Sequence, residues 1–231
     1  MNYYQEVTLL PDSTVPLDFL WQKVYQQIHI ALADNKTSQG HSTIAVAFPE
    51  YGSVGFRLGK KIRLHAKTPA ELELLNVQKW LARLMDYVHI KSIQTVPEQH
   101  VQVSYIRKHV KGQSRIEADM QQKARLWSEK SGQPLEQCLK TLSASKPKAA
   151  NRLPFIWVES LHARDKQAES RSFPLFIKRI DATQKQVGVF NCYGLSQATN
   201  DSVCLATVPH FWPLFFALLK LVNKSVSYNY Q

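Results

Sequence analysis

Among the 231 residues, His29 is the first candidate for proton transfer, since an unperturbed imidazole titrates close to neutrality. It follows Trp21 by two helical turns and Tyr25 by one, in a stretch whose apolar residues recur at helical spacing, so it falls on the border of a buried stripe. A lone histidine there is either a general acid or base or a structural hydrogen-bonding residue, and spacing does not choose between them. Ser160 reads as a free-standing hydroxyl at a strand end, and Phe173 and Tyr193 as strand aromatics. The three cysteines, Cys138, Cys192 and Cys204, have irregular spacing, with no C-x-x-C and no histidine pair at ligand distance. Neither a disulfide framework nor a zinc site is expected, and no metal or cofactor.

Charge separates the two halves of the chain. Residues 1–100 hold 10 basic and 9 acidic side chains, whereas residues 101–231 hold 19 and 9. Such a field steers a polyanion to the second half, so RNA or DNA is the expected partner. No amphipathic stretch carries a continuous basic face, so a membrane is not expected as a partner. The first residues run directly into a strand-like segment without the basic flank and apolar core of a signal peptide, which predicts a cytoplasmic protein.

The elements that position these residues follow from hydrophobic period and turn signals. A strand is expected over residues 3–10, a helix from Pro16 to about residue 34, strands over 44–48 and 61–66, and a helix from Thr68-Pro69-Ala70-Glu71 to about Met85. A fourth strand over 88–96 completes a βαββαβ order. The predicted fold class is α+β, with an N-terminal ferredoxin-like domain (residues 1–97) carrying the histidine and a basic C-terminal α+β domain (98–231). The second half should hold a strand over 101–106, a helix over 115–130, a short helix over 134–142, a basic linker over 143–152, and strands over 155–160, 173–179 and 187–193. Residues 209–222 are strongly apolar but too short to span a bilayer, and read as a packed terminal helix or, alternatively, an exposed partner-binding one.

Several short blocks occur in a telling order: Leu10-Pro11-Asp12, Ile28-His29-Ile30-Ala31-Leu32, Ala47-Phe48-Pro49, Leu153-Pro154-Phe155 leading to Ser160, Phe173-Pro174-Leu175-Phe176-Ile177, and Phe190-Asn191-Cys192-Tyr193-Gly194-Leu195-Ser196. On these blocks the chain resembles the type I-F CRISPR-associated endoribonucleases, the Csy-type members of the repeat-cleaving group. The resemblance implies a metal-independent cut at the 3′ base of a repeat hairpin in precursor CRISPR RNA, by attack of a ribose 2′-hydroxyl on its own phosphate. It gives His29 the role of general base, Ser160 that of holding the ribose and Tyr193 that of orienting the histidine. Phe173 would stack on the nucleotide at the hairpin base.

Tyr105, Arg107, Lys108 and Lys111, with Arg115, Lys123 and Arg125 on the following helix, would contact the hairpin. That helix carries Glu117, Asp119 and two glutamines among its basic residues, where the family has a denser arginine run. The implied partners are CRISPR repeat RNA, the 3′ hairpin of the mature crRNA and the other subunits of a type I-F surveillance complex. The alternative is a subunit that binds the hairpin without cutting it.

Overall fold

Alternation along the first strand decides how the first sheet is built. In β1 (Tyr3–Leu9), Val7 and Leu9 face one side and Tyr4 and Glu6 the other. β1 pairs antiparallel with β3 (Lys61–Ala66), setting Val7 opposite Ile62 and Glu6 opposite Arg63. β2 (Ala45–Ala47) lies outside β3 and β4 (Val88–Ile90) outside β1, giving the order β2-β3-β1-β4. With α1 (Leu17–Asp34) after β1 and α2 (Pro69–Leu75) after β3, this is the ferredoxin-like arrangement. The computed structural model describes residues 1–110, 113–144, 153–160, 172–198 and 204–211.

Local signals start each helix. The Asp12 carboxylate accepts the N–H groups of Thr14 and Val15 at 2.8 and 2.7 Å, closing the turn that leads into α1. The Glu71 carboxylate reaches back to accept the N–H groups of Lys67 and Thr68, both at 2.9 Å, at the start of α2. The single helix expected to about residue 85 is instead three pieces. Asn76 adopts a left-handed conformation (φ 48) that ends α2, and α3 (Val77–Trp80) and a 3-10 turn (Ala82–Tyr87) follow on new axes. The fourth strand is likewise divided: β4 and the two-residue β5 (Gln94–Thr95) pair separately with β1.

The second sheet consists of β6 (Val101–Lys108), β7 (Phe155–Glu159), β8 (Ser172–Ala182), β9 (Val189–Phe190), β10 (Ser196–Gln197) and β11 (Val208–His210). Its order is β7-β8-β6-β10-β9, with β11 on β6. The strand expected through residue 193 ends at Phe190, because residues 191–195 form a turn. A terminal helix from Pro209 is also corrected. Residues 208–210 are strand, paired with residues 101–103, and residues 212–222 lie outside the described residues.

Packing divides the chain into two compact units, one of Met1–Arg107 with the described residues from Pro154 onward, the other Lys108–Leu153. The second holds α4 (Gln113–Ser131) and α5 (Leu135–Ala144), where Ala124 and Cys138 are buried. In the first, Ile156 and Val158 of β7 are buried and the strand packs on α1. That helix is therefore covered by β7 as well as by the first sheet, and it buries Gln26 and His29 along with its apolar stripe.

The other face of the first sheet is polar and still buried. Arg63 donates from Nε to Glu6 at 2.8 Å and from Nη1 to the Phe211 carbonyl at 2.7 Å, with its guanidinium 4.0 Å from the Phe211 ring centroid. Burial raises the Glu6 pKa, but Lys91, Arg63 and Lys61 outweigh it and hold the carboxyl below its usual value. His65 lies alongside, against the rings of Tyr4 and Phe211, and among the described residues neither of its ring nitrogens has a hydrogen-bond partner. Burial first, and the Arg63 charge next, push its pKa down to about 3.

Candidate active site

His29 is 3% exposed, deeper than its place on the border of the stripe predicts, because β7 covers the side of α1 that the helical pattern leaves polar. Its Nδ1 hydrogen-bonds the carbonyl of Cys192 at 2.9 Å. The carbonyl only accepts, so the proton of the neutral ring sits on Nδ1 and the lone pair on Nε2. The Tyr193 ring stacks on the imidazole at 4.2 Å between centroids and 15° between planes. Phe173 meets Tyr193 edge-on at 6.4 Å, and the Arg107 guanidinium lies 5.0 and 5.5 Å from the Phe173 and Tyr193 centroids. Four of the residues singled out in the sequence thus form one cluster.

The turn that presents Cys192 and Tyr193 is tied down on all sides. Asn191 accepts the N–H groups of Tyr193 and Leu195 at 2.9 and 3.2 Å, and the Tyr25 hydroxyl donates to the Tyr193 carbonyl at 2.9 Å. Gly194 has φ +69, and its carbonyl accepts the N–H of Val46 at 2.8 Å. A Cβ at Gly194 would stand 2.4 Å from Val46 Cγ2, so only glycine permits both the turn and the approach.

Ser160 is half-buried immediately after β7. Its neighbour Glu159 is clamped to Gln26, whose amide accepts the Glu159 N–H at 2.9 Å and donates to the Glu159 carbonyl at 3.4 Å. Gln26 lies three residues before His29 on α1, so one helix face fixes both the imidazole and the strand end that carries the serine.

Burial lowers the His29 pKa, a shift that the Cys192 hydrogen bond opposes and Arg107 reinforces. Burial raises the Tyr193 pKa and Cys192 adds to this, while Arg107 opposes it through charge and a hydrogen bond. At neutral pH the cluster therefore holds an unprotonated imidazole, a protonated phenol and a guanidinium, a set able to accept a proton beside an anion.

Tyr105 does not join the cluster. It is 1% exposed, donates its hydroxyl to the Phe48 carbonyl at 2.8 Å and packs edge-on against the Phe48 ring, so it is a core residue with no face left for RNA. Lys108 is exposed at the end of β6, and Lys123 and Arg125 are exposed on α4. Arg115 is in α4 at a position whose side chain is outside the described residues, as is Lys111 altogether. Among the described residues no group of three His, Cys, Asp or Glu side chains is placed to hold a metal ion, and no helix is long and apolar enough to cross a membrane. Sequence reading missed Tyr25, Gln26 and Asn191. The first two share the helix face of His29 at three- and four-residue spacing, which is a usable signal.

The fold and the cluster define a ferredoxin-like α+β protein with a histidine held on a buried helix against a C-terminal turn. The family model for the CRISPR-associated protein Cas_Csy4 matches residues 4–211, and the chain belongs to that family. A protein of Escherichia coli (strain UTI89 / UPEC) named CRISPR-associated endonuclease Cas6/Csy4 is 27% identical over 217 residues, covering 91% of this chain and 100% of that protein. A protein of Pseudomonas aeruginosa (strain UCBPP-PA14) with the same name is 27% identical over 201 residues, covering 85% and 96% respectively.

Proposed function

We propose that this chain is an endoribonuclease that processes CRISPR RNA, cutting repeat RNA at the 3′ base of a hairpin without a metal ion. The observation that carries the reading is the His29 imidazole, fixed through Nδ1 by the Cys192 carbonyl and stacked on Tyr193. Its family and the names of its two relatives support the same reading.

In the proposed step His29 Nε2 takes the proton of the 2′-hydroxyl at the cleaved nucleotide. The freed oxygen forms a bond to the adjacent phosphorus as the bond from phosphorus to the 5′-oxygen breaks. The products are a 2′,3′-cyclic phosphate and a 5′-hydroxyl, whose proton comes from solvent. Ser160 holds the ribose, Tyr193 keeps the imidazole plane in register, and Phe173 stacks on the base at the foot of the stem. The Arg107 guanidinium faces the charge that builds on the phosphate. Arg107, Lys108, Lys111, Arg115, Lys123 and Arg125 contact the hairpin, which A-form geometry presents mainly as backbone and shape. The product hairpin keeps these contacts, so the enzyme stays on the mature crRNA and enters a type I-F surveillance complex in the cytoplasm.

The test is cleavage of hairpin repeat RNA in chelator, with and without a 2′-deoxy nucleotide at the scissile position. The all-ribose RNA should be cut to a cyclic phosphate and the deoxy RNA left whole. A requirement for magnesium, or cutting of the deoxy RNA, rejects the mechanism.

A further inference from the structure

On α1, away from His29, a cleft of about 500 Å³ opens between Lys23 and Gln27 on one side and Lys79, Trp80, Arg83 and Leu84 on the other. It is lined by three cations, one amide, a half-buried indole and no carboxylate. Lys23 also stands 5.3 Å over the ring of Phe19, an aromatic that is 46% exposed. Among the described residues no acidic side chain pairs with any of the three cations, although Asp86 and Glu73 are close to them in sequence.

The near balance of charge in residues 1–100 conceals this cleft, because three of the ten basic residues there converge on one place. Unpaired cations raise the local potential and attract an anion. Phosphates satisfy such charges while bases stack on indole and phenyl faces without regard to sequence, the arrangement by which single strands are held.

We infer that this cleft binds the single-stranded RNA adjoining the hairpin, a second contact outside the cleavage site. The inference rests on the proposed function for its choice of polyanion. Lys23 and His29 are six residues apart on one helix, an axial rise of about 9 Å. Two or three nucleotides cover that distance. The two side chains leave the helix about 120° apart, so the strand must also pass round α1, which a flank of about eight nucleotides has the length to do. The cleft would raise the affinity for flanked repeats over bare hairpins and make that gain salt-sensitive.

The test measures binding of three RNAs by the full chain: a bare hairpin, a hairpin with a 5′ flank and one with a 3′ flank. Each flank is about eight nucleotides. A 2′-deoxy nucleotide at the scissile position prevents cutting. Wild type should bind one flanked RNA about tenfold more tightly than the bare hairpin at low salt, and the gain should shrink as salt rises. The arm that gains identifies the flank. The double variant Lys79→Gln, Arg83→Gln changes two exposed side chains and should lose most of the gain while binding the bare hairpin as wild type does. Equal binding of all three RNAs by wild type, or a gain that survives in the variant, overturns the inference.

Thiouridine crosslinking from the gaining flank to unaltered protein gives a second readout. Crosslinks to Trp80 or its neighbours support the cleft, and crosslinks confined to other segments overturn it. Failure of the cleavage reading would appear separately, as an all-ribose hairpin left uncut, with the flank comparison unaffected.

Discussion

His29 and His65 are both buried, and in both burial is the first cause of a lowered pKa. Their surroundings make them opposites. His29 has a carbonyl on one nitrogen, a parallel ring against its face and its second nitrogen left with a lone pair. Among the described residues His65 has no partner on either nitrogen, and it is boxed in by Tyr4, Phe211 and a buried guanidinium. Burial alone does not make a base. What separates the two is a fixed tautomer, and a lowering that leaves one imidazole neutral at working pH while driving the other far from any useful range.

The largest effect that would break this contrast is on the rate. His29→Ala should lower single-turnover cleavage about 10²–10⁴-fold while hairpin affinity stays unchanged. Equal loss of both would make His29 as structural as its counterpart. In the polar layer around His65 the effect should instead be on stability. Glu6→Ala strands Arg63 without its carboxylate and should cost about 3–5 kcal/mol in denaturant unfolding, with the cleavage chemistry of the folded fraction intact.

Next comes acid sensitivity. The folded pKa of His65, about 3, lies below the unfolded value near 6.5, so the unfolded chain binds the extra proton between them. Stability from this residue is complete above about pH 6.5 and falls on acidification towards pH 3 by up to about 1.4 kcal/mol per pH unit. Melting curves of His65→Leu should be flatter across that window than those of wild type.

Two smaller effects test how the C-terminal turn serves His29. Tyr25→Phe removes the hydroxyl that holds the Tyr193 carbonyl and should cost about 1 kcal/mol of stability, read by chemical denaturation. Arg107→Gln removes a charge that lowers the His29 pKa, so the acid limb of the cleavage profile should move to higher pH. An unmoved limb would mean the guanidinium does not act on the imidazole.

Much of this was legible because it is local. The alternating run 61–66 became β3 with the same ends, and Thr68-Pro69-Ala70-Glu71 opened a helix through the carboxylate of Glu71. The break at Asn76 was not read: Leu81 stands six residues after Leu75, off the helical face of Leu72 and Leu75, so the burial of all three requires the chain to change direction there. The depth of His29 could not be read from a helical stripe, since a strand more than a hundred residues away covers its other side. Tyr105 was assigned to the hairpin from its place in the family resemblance, and a strand position does not reveal that Phe48 packs on its ring and accepts its hydroxyl. The partner that fixes the His29 tautomer is a backbone oxygen, which no side-chain pattern announces.

The hydrogen bond from His29 to Cys192 links positions 163 residues apart, and Gly194 seats its turn directly on β2. Synthesis proceeds at about 5–20 residues per second, so the imidazole leaves the ribosome many seconds before the turn that orients it. On the proposed role of His29, a nascent chain interrupted before that turn would carry the base without its bearing and stay inert towards transcripts until its last strands have docked.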